Sequence, residues 1–188
     1  MVTGGAYVAR EYKPHNVTCV DVSSYQVARA SHLHDSVVRH NKNLEFQVSS
    51  ADLIKKPSNY YDAIYSVEAA QYFPSMSNFA KEAHRVLKAN GLIAITTIFS
   101  TDAKGHSAAK KLLPTVQHDI GRLVPVDQVR RAFLDNGFKE IEVKTIGQDV
   151  FQGFDLWISQ VEDVPWGRNF YELYRSKHID YYILTFKK

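Results

Sequence analysis

The sequence predicts an α/β fold, a mostly parallel sheet with helices on both faces. β-Branched, strand-like runs alternate along the chain with segments whose apolar residues recur at spacings of three and four. Leu92 to Phe99 is a nearly continuous apolar run, as expected of a strand covered on both faces. Parallel neighbours need crossover connections, and the alternation supplies them.

The elements follow in order. Val17-Thr-Cys-Val-Asp-Val22 reads as a buried strand bounded by Pro14 and Asn16 before it and by Ser23-Ser24 after it. Tyr25 to His40 has helical spacing through Val27, Ala30, Leu33 and Val37, with Ser23 or Ser24 as its cap. Strands are expected at Leu44 to Val48 and at Tyr61 to Val67. Between the latter and the Leu92 run, Ser75 to Leu87 presents Phe79, Ala83, Val86 and Leu87 on one side of a helix, which Asn90-Gly91 stops. Ser100 to Arg122 reads as a looser region. Pro125 opens a helix carrying Val126, Val129, Phe133 and Leu134, ended by Asn136-Gly137. Lys139 to Thr145 alternates polar and apolar residues, Asp149 to Val161 is helical in pattern, and Asp180 to Phe186 is the last strand.

Composition bounds the function. The 188 residues are 45% hydrophobic and 23% charged, the make-up of a globular chain with one sizeable core. The net charge of +3 is small and its basic residues come as scattered pairs, which argues against a nucleic-acid partner. The single cysteine, Cys19, has no internal disulfide partner and fits a reducing cytoplasm. No signal-peptide pattern opens the sequence, and no apolar run reaches the ~18 residues of a membrane span. Metal ligation is disfavoured, because no His or Cys pair has the HExxH or CxxC spacing of a zinc site.

Ligands of such sheets bind at the carboxyl ends of the strands. Thr3-Gly-Gly-Ala-Tyr7, before a short helix ending near Tyr12, suits a turn that brings backbone close to a ligand. Asp21 ends the strand that follows; there a carboxylate can accept hydrogen bonds from both hydroxyls of a ribose, or can cap the next helix. Position alone leaves both open.

Three segments resemble successive motifs of class I S-adenosylmethionine-dependent methyltransferases: Val17-Thr-Cys-Val-Asp-Val-Ser23, Tyr61-Asp-Ala-Ile-Tyr-Ser-Val-Glu-Ala-Ala70 and His84-Arg-Val-Leu-Lys-Ala-Asn-Gly-Leu-Ile93. The last is similar to the family's RVLKPGG turn. Within the family, the sequence looks most like sugar O-methyltransferases of antibiotic pathways and sarcosine/dimethylglycine methyltransferases. Gly153 to Trp157, Trp166 to Asn169 and Ile179 to Ile183 resemble the family's acceptor-side helices and last strand.

The resemblance implies a Rossmann-like single domain over 1–188, with a cofactor-binding half at 1–99, an acceptor-side half at 100–188 and an antiparallel last strand. It places the family's first strand and first glycines before Met1, so the chain reads as N-terminally truncated. By position, Thr3, Gly4 and Gly5 match the end of the glycine loop and Asp21 matches the ribose-binding acid. Ser50 and Ala51 fall beside the adenine, where relatives often carry Asp-Ala, with Asp52 as an alternative partner. Ser66 and Val67 run under the methionine moiety, and Glu68 lies just beyond. Two departures stand out: Gln71-Tyr72 where relatives often carry His, and Thr96-Thr97 where some place an Asp.

The implied activity is methyl transfer from S-adenosylmethionine to a small-molecule acceptor, with an oxygen preferred. Alignment and desolvation do most of that work, and a weakly acidic hydroxyl acceptor adds the need for a general base. His118 and His106 are the candidates, with Asp119 as an orienting partner. Tyr72, Phe73, Phe151, Phe154, Trp157, Trp166, Tyr171 and Tyr174 are candidates to line an apolar acceptor pocket, although core packing is the expectation for most of them. Two rivals remain. A nicotinamide-dependent oxidoreductase shares the glycine loop and the acid, although the Leu87 to Gly91 turn and Ser66-Val67-Glu68 speak against it. The other is a truncated, non-catalytic relative.

Overall fold

A computed structural model describes residues 4–34, 43–118, 120–161 and 164–188. The chain groups into two compact units, Met1–Lys56 and Pro57–Lys188. The division expected after residue 99 falls within the second unit.

The first unit is a small α/β layer. Helix α1 (Gly4–Glu11) is followed by β1 (Val17–Asp21), α2 (Ser24–Leu33) and β2 (Leu44–Val48). The two strands pair in parallel, from Val17 opposite Leu44 to Asp21 opposite Val48. Alternation along β1 points Val17 and Cys19 to one face, where they pack with Ala6, Ala9 and Leu44. Ser23 caps α2, its hydroxyl accepting from the Gln26 N–H at 3.3 Å. The C-terminal part of the helix expected as far as His40, including Val37, lies outside the described residues.

The second unit holds a four-stranded sheet in the order β3-β4-β6-β5, formed by β3 (Tyr61–Val67), β4 (Leu87–Ser100), β5 (Lys139–Thr145) and β6 (Ile179–Lys187). β3 and β4 are parallel, while β6 is antiparallel to both β4 and β5. Three strands thus share one direction and the last strand opposes them, as expected.

Helices α3 (Met76–Val86) and α6 (Val126–Asp135) bring Phe79 and Phe133 to one face, where Phe133 stacks on Phe186 at 4.5 Å. On the opposite face, Ile98 and its register partner Tyr181 pack against a cluster built by α4 (Ala103–Leu112), α7 (Gly147–Ile158) and α8 (Asn169–Arg175), centred on Ala109, Phe151 and Leu173. From Ile93 to Ser100 no residue of β4 is exposed, so both faces of that strand are covered.

Two expectations are corrected. The region from Ser100 to Arg122 is not loose, for it contains α4 and the short helix α5 (Pro114–Gln117). Asp102 caps α4 by accepting from the Lys104 and Gly105 N–H groups, and the buried residues of α4 are only Gly105 and Ala109. A helix docked through residues that small shows no bulky apolar periodicity. The second correction concerns β4, whose extended backbone begins at Leu87 rather than at Leu92. Leu87 already pairs with Tyr61, and the turn residues Asn90 (φ 64°) and Gly91 sit inside the strand as an irregularity, not before it.

Candidate functional site

Within the first unit, the carboxyl ends of β1 and β2 meet at Asp21 and Val48. The Ser49 N–H donates to the Asp21 carbonyl at 3.0 Å, which carries the pairing one residue further. Asp21 Oδ1 accepts from the Ser23 N–H at 2.9 Å. Because the Ser23 hydroxyl caps α2, the Asp21 carboxylate is not that cap. It is half-buried, held on one oxygen by backbone, at the edge where parallel sheets bind ligands.

Ser50 and Ala51 follow β2 and are also half-buried. Ser50 Oγ donates to Asp52 Oδ1 at 2.5 Å, so the two alternative partners at this position form one group. Sequence reasoning missed Val22 and Leu53. They directly follow Asp21 and Asp52 in the chain and are 72% and 68% exposed, respectively. An apolar residue directly after an acid, Val22 after Asp21 and Leu53 after Asp52, was the available signal.

Thr3 lies outside the described residues. Gly4 is exposed, and a Cβ there would meet nothing within 4 Å. Gly5, in contrast, is buried within α1, and a Cβ added to it would overlap the Cys19 sulfur outright. The two glycines therefore differ: Gly5 lets the helix backbone approach β1. Burial pushes the Cys19 thiol up to about 11, opposed by a hydrogen bond from the Gly5 backbone.

A polar cluster stands at the carboxyl end of β3 in the second unit. Ser66 is 8% exposed, and its Oγ has no hydrogen-bond partner among the described residues, whereas Val67 is exposed. Glu68 turns the chain out of the strand in a left-handed conformation (φ 52°) while its N–H donates to the Thr96 carbonyl at 2.9 Å. Its carboxylate accepts from Gln71 Nε2 at 3.3 Å and from the Tyr181 hydroxyl. Burial, reinforced by Glu68 and opposed by Thr96, holds the Tyr181 phenol far above its ordinary range.

Thr97 Oγ1 donates to Gln71 Oε1 at 2.5 Å. The two departures from the family pattern thus meet: the residues that stand where relatives carry His and Asp pair with each other. Tyr181 was not singled out from sequence. It sits 110 or more residues from Glu68 and Gln71, and only the antiparallel insertion of β6 beside β4 brings it there.

The candidate bases lie on α4 and just after α5. His118 is exposed, with its Nδ1 2.8 Å from the Pro114 carbonyl. A carbonyl can only accept, so Nδ1 carries the proton and Nε2 of the neutral ring keeps its lone pair. The adjoining segment packs on the β3 end, for the Arg122 N–H donates to the Gln71 carbonyl at 2.9 Å and Gly121 lies against the Tyr72 ring. His106 is half-buried on α4, and Asp119 lies outside the described residues. Of the aromatics, Phe151 is core, 1% exposed, whereas Tyr72 and Trp157 are largely exposed. No helix among the described residues is long and apolar enough to cross a membrane.

Comparison with known proteins bears on this arrangement. The family described as a methyltransferase domain matches residues 3–95. Over 176 residues the chain is 26% identical to erythromycin 3''-O-methyltransferase of Saccharopolyspora erythraea, an alignment covering 88% of this chain and 56% of that protein. A sterol 24-C-methyltransferase of Gibberella zeae is 25% identical over 166 residues, covering 88% of this chain and 42% of that protein. The chain spans about half the length of the curated relatives it matches. Among solved structures, geranyl diphosphate C-methyltransferase from Streptomyces coelicolor A3(2), crystallised with Mg2+, geranyl diphosphate and S-adenosyl-L-homocysteine, superposes with a TM-score of 0.83 at 16% identity, covering 96% of this chain and 67% of that one.

Proposed function

From the premise that this chain, through residues 3–95, belongs to the class I S-adenosylmethionine-dependent methyltransferases, we propose that it transfers a methyl group from that cofactor to a small-molecule acceptor, and that the atom methylated is an oxygen. The observation that carries the reading is the Asp21 carboxylate, held at the carboxyl edge of a parallel strand pair by the Ser23 backbone and free of capping duty. A ribose diol needs such an acceptor, and an adenine ring needs apolar surface beside it, which Val22 and Leu53 offer. The Ser50–Asp52 pair would present a hydrogen-bonding edge to the base, with Ala51 between them leaving room.

Other residues have narrower parts in this proposal. Thr3 and Gly4 would lie near the methionine end as the opening turn of α1, while Gly5 serves that turn through its packing on Cys19. Ser66, whose buried hydroxyl has no partner among the described residues, and Val67 would serve the methionine moiety. When bound, the cofactor supplies an activated methyl group on a positively charged sulfur. The protein then has to align the acceptor, exclude water and take the proton of a hydroxyl. His118 is assigned that proton through Nε2, with His106 as the second candidate. An oxygen acceptor is favoured by the O-methyltransferase relative and by this available lone pair.

Calorimetric titration with S-adenosylhomocysteine tests the reading. Asp21→Ala should weaken binding by roughly a hundredfold or more, the loss of a charged, bidentate acceptor. Unchanged affinity would remove Asp21 from the ribose and the proposal with it.

A further inference from the structure

Beyond the carboxyl end of β4, the second unit holds a cavity of about 420 Å³ lined by Thr101, Tyr174, Arg175, Lys177, Ile179 and Asp180. Arg175, Lys177 and Asp180 are among its lining residues, and no ion pair among the described residues joins them. Asp180 Oδ1 is fixed by the N–H groups of Gly147 (3.1 Å) and Tyr181 (2.7 Å), so its position does not depend on a cation. Burial nevertheless raises this carboxyl above its ordinary value, with those two backbone donors opposing. Among the described residues no cation forms an ion pair with it.

Lys177 adds a second, independent observation. It has φ 59° directly after α8, where its N–H donates to the Tyr174 carbonyl and the His178 N–H to that of Leu173. This is the left-handed residue that closes a helix, a position suited to glycine. Lysine there bears a backbone cost while its side chain stays exposed and gains little packing. Thr101 Oγ1 holds the Lys177 carbonyl at 2.6 Å, fixing the strained residue at the cavity rim. Arg175, also exposed, lies over the Tyr171 ring at 5.9 Å.

We propose that this cavity binds a small amphoteric molecule of the amino-acid class, its carboxylate facing Arg175 and Lys177 and its ammonium facing Asp180. A lone anion would meet the Asp180 carboxylate, and a lone cation would meet two others. Only a ligand carrying both charges, set apart, satisfies all three side chains. The volume lies within the range of small-molecule sites. This inference does not rest on methyl transfer.

Saturation-transfer NMR on the full chain, without cofactor, provides the test, with glycine and L-leucine as probes and acetate and methylammonium as their single-charge halves. The amino acids should bind saturably and at least roughly tenfold more tightly than either half. Asp180→Asn and Lys177→Gly should each weaken them roughly tenfold or more. Lys177→Gly also relieves the left-handed backbone, so its melting temperature should equal or exceed that of the unsubstituted protein, and weakened binding cannot then be laid to unfolding. Absence of saturable amino-acid binding, equal binding of acetate, or full binding by Lys177→Gly would each overturn the proposal. Amino-acid binding that persists where S-adenosylhomocysteine fails to bind would leave it standing while the methyltransferase reading falls.

Discussion

Replacing Gly5 by Ala tests whether that glycine packs a helix or faces a ligand. The added Cβ would overlap Cys19 Sγ, far inside the ~3.5–4.0 Å at which buried atoms touch, so sulfur or helix must move. The sulfur is confined by Ala6, Ala9, Val17 and Leu44, and overpacking of this kind costs about 1–3 kcal/mol. Better helix propensity of alanine offsets at most about 1 kcal/mol. Cys19→Ala removes the obstacle at a cost of about 1 kcal/mol for one buried group of methylene size. In the double variant the nearest atoms to the new Cβ are then Val17 Cγ1 at 3.5 Å and residue 19's own Cβ at 3.7 Å, ordinary contacts. The double variant should be at least as stable as Cys19→Ala alone, a coupling of about 1–3 kcal/mol in a double-mutant cycle. Urea unfolding of the four proteins, followed by circular dichroism, measures it. Additive effects would refute the packing role, and a double variant that regained stability without regaining S-adenosylhomocysteine affinity would show Gly5 approaching the ligand itself.

Two further predictions concern the end of the chain. The Lys188 ammonium donates to the carbonyls of His84 (2.6 Å) and Leu87 (2.7 Å) and to Asn59 Oδ1 (2.9 Å), where α3 leaves unpaired carbonyls. Lys188→Met should cost about 1–2 kcal/mol, from a cation at a helix C-terminus and its charged hydrogen bonds; an unchanged urea midpoint would contradict this. Burial first, and the Lys188 charge second, lower the His84 pKa below its ordinary value of about 6.5. The unfolded chain therefore takes up that proton more readily, so this contribution to stability is fully present above about pH 6.5 and is lost as the pH falls through the lowered value. His84→Gln should flatten the fall in stability between about pH 7 and pH 5, and a slope identical to that of the unsubstituted protein would exclude His84 as its source.

Sequence disclosed those elements whose burial requires large side chains. Ile93, Ile95 and Phe99 are each 0% exposed and mark β4 without help from any partner. Gly137 ends α6 in the left-handed conformation expected of it (φ 89°). α4 escaped notice because Gly105 must sit against the His178 carbonyl, which excludes any side chain there. For the same reason Asp21 was ambiguous: a strand-ending acid and a helix cap look alike until the Ser23 hydroxyl is seen to occupy the capping position. Pairings such as Gln71 with Thr97 leave no local trace, since the residues are 26 apart and nothing between them encodes the contact.

That pairing also bears on where a proton could go. Gln71 and Thr97 are neutral at any working pH, and each satisfies the other, so neither offers a base. The Glu68 carboxylate already receives donors from Gln71 and Tyr181, and the Tyr181 phenol, held far above its ordinary range, keeps its proton. Among the described residues of the second unit, His118 Nε2 offers an imidazole lone pair, because Nδ1 is the nitrogen turned to the Pro114 carbonyl. His118→Asn should therefore lower turnover of a hydroxyl acceptor by roughly a hundredfold or more, the usual worth of a general base, and leave S-adenosylhomocysteine binding unchanged. Glu68→Gln keeps the shape of the cluster and should cost far less. If the glutamine variant lost turnover while the asparagine variant kept it, the proton would leave through the carboxylate, and the assignment to histidine would be wrong.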